Sequence, residues 1–115
     1  MKKKVNVSVF EIVGNPLCVA SDDGEKVHKR LAAILNAEGS ATLSFRNVTT
    51  LTSAFLNAAV GQLYGKFSEK TIRQSLEVRD MEADDLVLLK RVVDTAKQYF
   101  KDPKKFDQAI HEAQE

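Results

Sequence analysis

Short β-type runs alternate with helical segments along this chain, and few folds accept that order. Val5, Val7 and Val9 recur at every second residue, the pattern of a half-buried first strand extending towards Ile12. Gly14-Asn15-Pro16 then breaks the chain, and Leu17 to Ala20 reads as a short second strand, paired with the first as a hairpin across that turn. Ser21 or Asp22 caps a helix with Val27, Leu31, Ile34 and Leu35 on one face, and Gly39 stands where helices commonly stop. Ala41 to Phe45 is β-compatible, a helix follows from about Ser53, and Ile72 to Val78 reads as another strand. Ala83 to Phe100 is helical, with Leu86, Leu89, Val92, Val93 and Ala96 at the right spacing. Asp102 followed by Pro103 starts a last short helix, from about residue 103, which Phe106 and Ile110 hold down. The order predicts one α/β domain over residues 1–115, a small mixed β-sheet covered by helices in a two-layer sandwich.

A chain of 115 residues buries a real core without staples, and its 17 Lys and Arg nearly balance 16 Asp and Glu. No overall field therefore draws it to nucleic acid or to an acidic membrane surface. One cysteine, Cys18, permits no internal disulfide, and two widely separated histidines offer no metal-ligand spacing, so neither a metal nor a cofactor is expected. The start, Met1-Lys2-Lys3-Lys4, leads into alternating polar and apolar residues instead of an export core, and no later run spans a bilayer. A cytoplasmic location is the expectation.

The stretch after the third strand, "NVTTLTSAFLNAAVGQLYGKF", has two unlike sides. At about 100° per residue, Leu56, Ala59, Val60, Leu63 and Phe67 share one side and should pack on the sheet. Opposite lie Ala54, Ala58, Gly61 and Gly65, small and uncharged. A glycine inside an exposed helix costs roughly 1 kcal/mol relative to alanine, so Gly61 asks for a compensating role. One answer is a docking face where another backbone comes close, either a partner protein's or that of a second copy of the chain. The other is that Gly65 ends the helix, Gly61 touches a neighbouring loop, and the alanines are indifferent surface.

Thr49, Thr50, Thr52 and Ser53 place four hydroxyls at the start of that helix, where free N–H groups and the helix dipole favour an anion. A phosphate added to Ser53 or Thr52 would stand at the edge of the small-residue face. Plain N-capping uses the same residue types. His28, with Lys26, Lys29 and Arg30 around it, is expected on a solvated polar side of its helix, the alternative being a local basic patch that meets a phosphate or an acidic partner, and Cys18 in a buried strand is expected to act as a small apolar residue. Lys97, Lys101, Lys104 and Lys105 complement the negative end of the long helix. With the Lys2-Lys3-Lys4 arm they form the basis of an alternative, a nucleic-acid accessory, against which stands the lack of interleaved stacking aromatics. No nucleophile with a base, carboxylate pair or phosphate loop stands out, so no catalytic residue is assigned.

A strand ending "TLSFRNV", the turn "TTLTS" and the helix "AFLNAAVGQLYGKF", with "GEKVHKRLAAIL" before and "ADDLVLLKRVVDTA" after, resemble the STAS-like domains, a bacterial group related in fold to anti-sigma factor antagonists. The resemblance runs from about Leu17 to Phe100. It implies a non-catalytic regulatory domain that binds a protein partner, such as a histidine-kinase-like ATPase or a transcription regulator, and switches partners on phosphorylation. In the antagonists the phosphorylated serine opens the helix after the central strand, which corresponds here to Ser53 or Ala54. Thr52-Ser53-Ala54-Phe55 lacks the acidic residue and the glycine of the antagonist pattern. The implied contact surface is Ala54, Ala58, Gly61 and Gly65, with Thr52 and Ser53 at its edge.

Overall fold

The computed structural model describes residues 3–101; the expected C-terminal helix from about 103, with Phe106 and Ile110, and Lys104, Lys105 and Lys2 lie outside them. Three strands, β1 (Lys4–Ser8), β3 (Ser40–Ser44) and β5 (Leu76–Arg79), form a parallel sheet with β3 in the middle. Val5 stands beside Ala41 and Ala41 beside Leu76, and the next inward row is Val7, Leu43 and Val78. This period-two face is the floor of the core, with Val7, Ala41 and Leu43 buried. The other face carries Asn6, Thr42 and Glu77 in one row and Ser8, Ser44 and Arg79 in the next. Glu77 is paired there with Lys4 at 3.4 Å and with Arg79 at 3.0 Å.

The second strand, β2 (Leu17–Cys18), is not hairpin-paired with β1 as the sequence suggested. It lies parallel to β4 (Thr50–Leu51) in a separate two-stranded ladder. The reason is the intervening helix α1 (Val9–Val13), which replaces the expected strand extension to Ile12. Ser8 caps it by accepting a hydrogen bond from the Glu11 N–H, and Gly14, left-handed at φ 74°, ends it. The strand expected over Ile72 to Val78 is likewise divided: Ser68 caps α4 (Glu69–Ser75), and only Leu76–Arg79 remains extended.

Helix α2 (Ser21–Asn36) buries Val27, Leu31, Ile34 and Leu35 as expected, but Ser21 is its first residue and does not cap it. Asp22 and Asp23 complement the positive end of the helix dipole in its first turn. The helix from Ser53 is shorter than the sequence suggested: α3 (Ser53–Ala59) gives way after Val60 to a 3-10 turn over Gly61–Gly65. Leu56, Ala59, Val60 and Leu63 are nonetheless buried together. The last described helix, α5 (Ala83–Lys101), lies against α3 and the 3-10 turn through Val92 and Ala96. Leu86, expected in the core, is instead 47% exposed, and its neighbour Val87 is 57% exposed.

Candidate functional site

Before the start of α3 two of the three threonine hydroxyls are engaged, those of Thr49 and Thr52, while Thr50 in β4 is exposed with no side-chain bond among the described residues. Thr52 accepts from the Phe55 N–H at 3.2 Å and donates to the Val19 carbonyl at 2.6 Å, so one side chain caps α3 and ties down the end of β2. Thr49 donates to the Pro16 carbonyl at 3.3 Å. Ser53 differs: it is exposed, and its hydroxyl has no partner among the described residues. Plain capping therefore accounts for Thr52 and leaves Ser53 available. On the β2 side, Val19, whose carbonyl holds Thr52, is 45% exposed, and Leu17, beside Thr50 in the ladder, is 51% exposed. On the other side Ser53, Ala54 and Asn57 line a shallow groove of about 510 Å³ against Leu88, Arg91 and Thr95 of α5. The Arg91 guanidinium has no ion pair among the described residues.

The small-residue stripe is not the bare face that the helical projection drew. Ala54 is exposed, but Ala58 and Gly61 are buried. Two contacts cover them. Gly24 of α2 lies so close to α3 that a Cβ on it would stand 2.5 Å from the Phe55 carbonyl oxygen and 2.8 Å from the Ala58 Cβ. On the α5 side, Val92 approaches Gly61, and the Phe100 ring closes on Gly65. The change to a 3-10 turn after Val60 also ends the 100° projection on which Gly61 and Gly65 were placed.

His28 is the residue the sequence reading misplaced. It is only 8% exposed, at the α2–α3 contact, and its Nδ1 is buried without a hydrogen-bond partner. Burial pushes its pKa down and nearby Lys66 adds to that, while the Ala59 carbonyl and Glu25 pull it upward. The Ala59 carbonyl acts on the ring although no hydrogen bond of ordinary geometry reaches Nδ1. With Glu25 and Lys29 from α2, Asn57 and Ala58 from α3, and Lys66, His28 lines a second groove, of about 490 Å³.

The remaining candidates have structural roles. Cys18 is fully buried, and burial, with Asp23 adding to it, raises its thiol pKa, which suits an inert apolar residue. Lys97 meets Glu69 at 2.9 Å and sits 5.8 Å from the centre of the Tyr64 ring, so part of the expected basic cluster is occupied. Among the described residues no group of three His, Cys, Asp or Glu side chains could hold a metal ion, and no helix is long and apolar enough to cross a membrane.

A family model described as a STAS-like domain of unknown function matches residues 23–86, more than half of the chain. The chain belongs to that family. In this STAS-like domain the match starts inside α2 and reaches the first turn of α5, so it takes in both grooves' α3 walls and the whole of β3 and β5. No curated protein and no solved structure matches the chain.

Proposed function

We propose that this STAS-like domain is a regulatory module that acts by binding another protein, and that the contact is centred on the exposed start of α3. The observation carrying this reading is the grouping around Ser53 and Ala54: exposed Leu17 and Val19 on one side, and the Leu88–Arg91 groove on the other. Exposed apolar side chains with polar groups beside them are a common form of protein contact. The partner is a histidine-kinase-like ATPase or a transcription regulator, the kind of partner implied by resemblance to the anti-sigma factor antagonists. Of the four small residues, Ala54 stands at the centre of the contact; Ala58 and Gly61 support the fold beneath it, and Gly65, at the far end of the 3-10 turn against the Phe100 ring, lies outside it.

Ser53 is the phosphate acceptor in this reading, and Thr52 is not. Modifying Thr52 would sacrifice both its bond to Val19 and its cap on α3, whereas Ser53 has neither to lose. A phosphate on Ser53 would lie beside the groove that holds Arg91, a guanidinium suited to paired oxygens. The test compares partner capture by the unaltered chain and by Ala54→Arg, followed by intact mass after incubation with ATP and the captured kinase. Ala54→Arg should fold normally and lose the partner, and one phosphate should appear in the unaltered chain but not in Ser53→Ala. Equal capture of the kinase by both proteins would remove the docking surface; a phosphate that persists in Ser53→Ala would remove Ser53 as acceptor.

A further inference from the structure

We infer that the groove between α2 and α3 binds a small oxyanion, a carboxylate or phosphate group, between the ammonium groups of Lys29 and Lys66 and over the buried ring of His28. At about 490 Å³ the groove has the volume of a small-ligand site. Its charged lining is Glu25 and Lys29 from α2 and Lys66 from the segment after the 3-10 turn; α3 supplies only neutral groups, Asn57 among them. Two ammonium groups thus face one carboxylate, and the Ser21 hydroxyl adds a donor at the rim. The second, independent observation is His28 itself, more than nine-tenths buried, whose Nδ1 makes no hydrogen bond of ordinary geometry among the described residues, although the Ala59 carbonyl acts on the ring. Folded proteins seldom leave such a group unpaired without a use for it.

The arrangement links anion binding to proton uptake. Without a ligand, burial and then the Lys66 charge hold the pKa of the ring below its ordinary value, against the lesser upward pull of the Ala59 carbonyl and Glu25. An anion between Lys29 and Lys66 offsets that repulsion, and the ring takes a proton from solvent. By reciprocity, the anion binds more tightly as the pH falls from neutral into the acid range. The site does not depend on the partner-docking surface, although Ala54 and Asn57 line both grooves.

The experiment follows the His28 ring by NMR in the full chain, the two histidines being distinguished with a His111→Gln variant. Sodium phosphate and sodium acetate are titrated separately at constant ionic strength, with chloride as the replaced anion. Saturable movement of the ring signals and a rise in the ring's pKa are expected with one or both; the stronger response identifies the oxyanion class. Lys29→Met and Lys66→Met, both at exposed positions, should keep the fold and weaken binding roughly tenfold each, as loss of one charge-assisted contact does. A response no larger than that to chloride would overturn the site. So would unchanged binding in the Lys29→Met/Lys66→Met double variant.

Discussion

Helix α3 and the 3-10 turn after it are held from two sides, and the two contacts are made differently. On the α2 side, backbone meets backbone: the position where a Cβ would sit on Gly24 is 2.5 Å from the Phe55 carbonyl oxygen and 3.2 Å from the Ala59 nitrogen. On the α5 side, glycine meets only side chains: at Gly65 an added Cβ would stand 2.5 Å from the Phe100 ring, and at Gly61 it would stand 3.5 Å from Val92, the nearer obstacle there being the Oδ1 of Asn57 from α3 itself at 2.5 Å. The same small residue therefore has two consequences. Where the obstacle is backbone nothing can give way, and where it is the tip of a side chain a rotation relieves it.

The largest expected effect is Gly24→Ala. Overpacking against a fixed backbone should cost about 1–3 kcal/mol, outweighing the helix-propensity gain of roughly 1 kcal/mol, and urea denaturation would measure it. Unchanged stability would mean that α2 and α3 slide apart freely, and the contrast between the two contacts would disappear.

A second, smaller effect separates them by pH, since a buried histidine lies at the α2 contact and none faces α5 among the described residues. The folded pKa of His28 is below its ordinary 6.5, so the unfolded chain binds this proton first. Stability is then full above the ordinary histidine range, falls as the pH drops through 6.5 towards the folded value, and levels off below it. His28→Gln should remove this slope. Lys66→Met should only reduce it, because burial is the larger cause and Lys66 the lesser. Chemical denaturation between neutral and mildly acid pH, with no added oxyanion, checks both, and an unchanged slope in His28→Gln would assign the pH dependence elsewhere.

The smallest effect belongs to Gly61→Ala and Gly65→Ala. Each displaces a side-chain end, and each gains from a stiffer unfolded chain, so the melting midpoint should correspond to a change within about 1 kcal/mol. A loss as large as that of Gly24→Ala at either position would show that Asn57 or the Phe100 ring has nowhere to go.

Much of this fold can be read from residue spacing, and the errors have local causes. Helices α2 and α5 repeat their apolar residues for 16 and 19 residues, long enough for the period to be unambiguous. The sheet face of Val5, Val7, Ala41 and Leu43 follows from alternation alone. Val9–Val13 and Glu69–Ser75 misled because they are short and partly β-branched, and because their capping serines, Ser8 and Ser68, decide the outcome locally. The first follows directly on the β-type residues of β1 and the second runs directly into those of β5, so the periods blur.

The candidate site was less legible. Gly24 and His28 fall in line with Val27 and Leu31 at intervals of three and four, so the buried stripe of α2 does include them. Their neighbours Lys26, Lys29 and Arg30 disguised it, and so His28 was expected in water. The stripe on α3 was read correctly as small and uncharged, but spacing along one helix carries no information about which other helix lies against it.

Every strand pair among the described residues is parallel, and that shapes how the chain comes together in time. Lys4 must find Ser40, and Ala41 must find Leu76, each across a whole intervening helix and without a tight turn to hold the ends near one another. No strand pair offers an early, local nucleus, and the loop-closure entropy of each pairing comes before its reward. During synthesis the third strand cannot join until Arg79 has emerged, which leaves the β3 edge and its Leu43 row waiting for a partner while α2 and α3 are already free to meet.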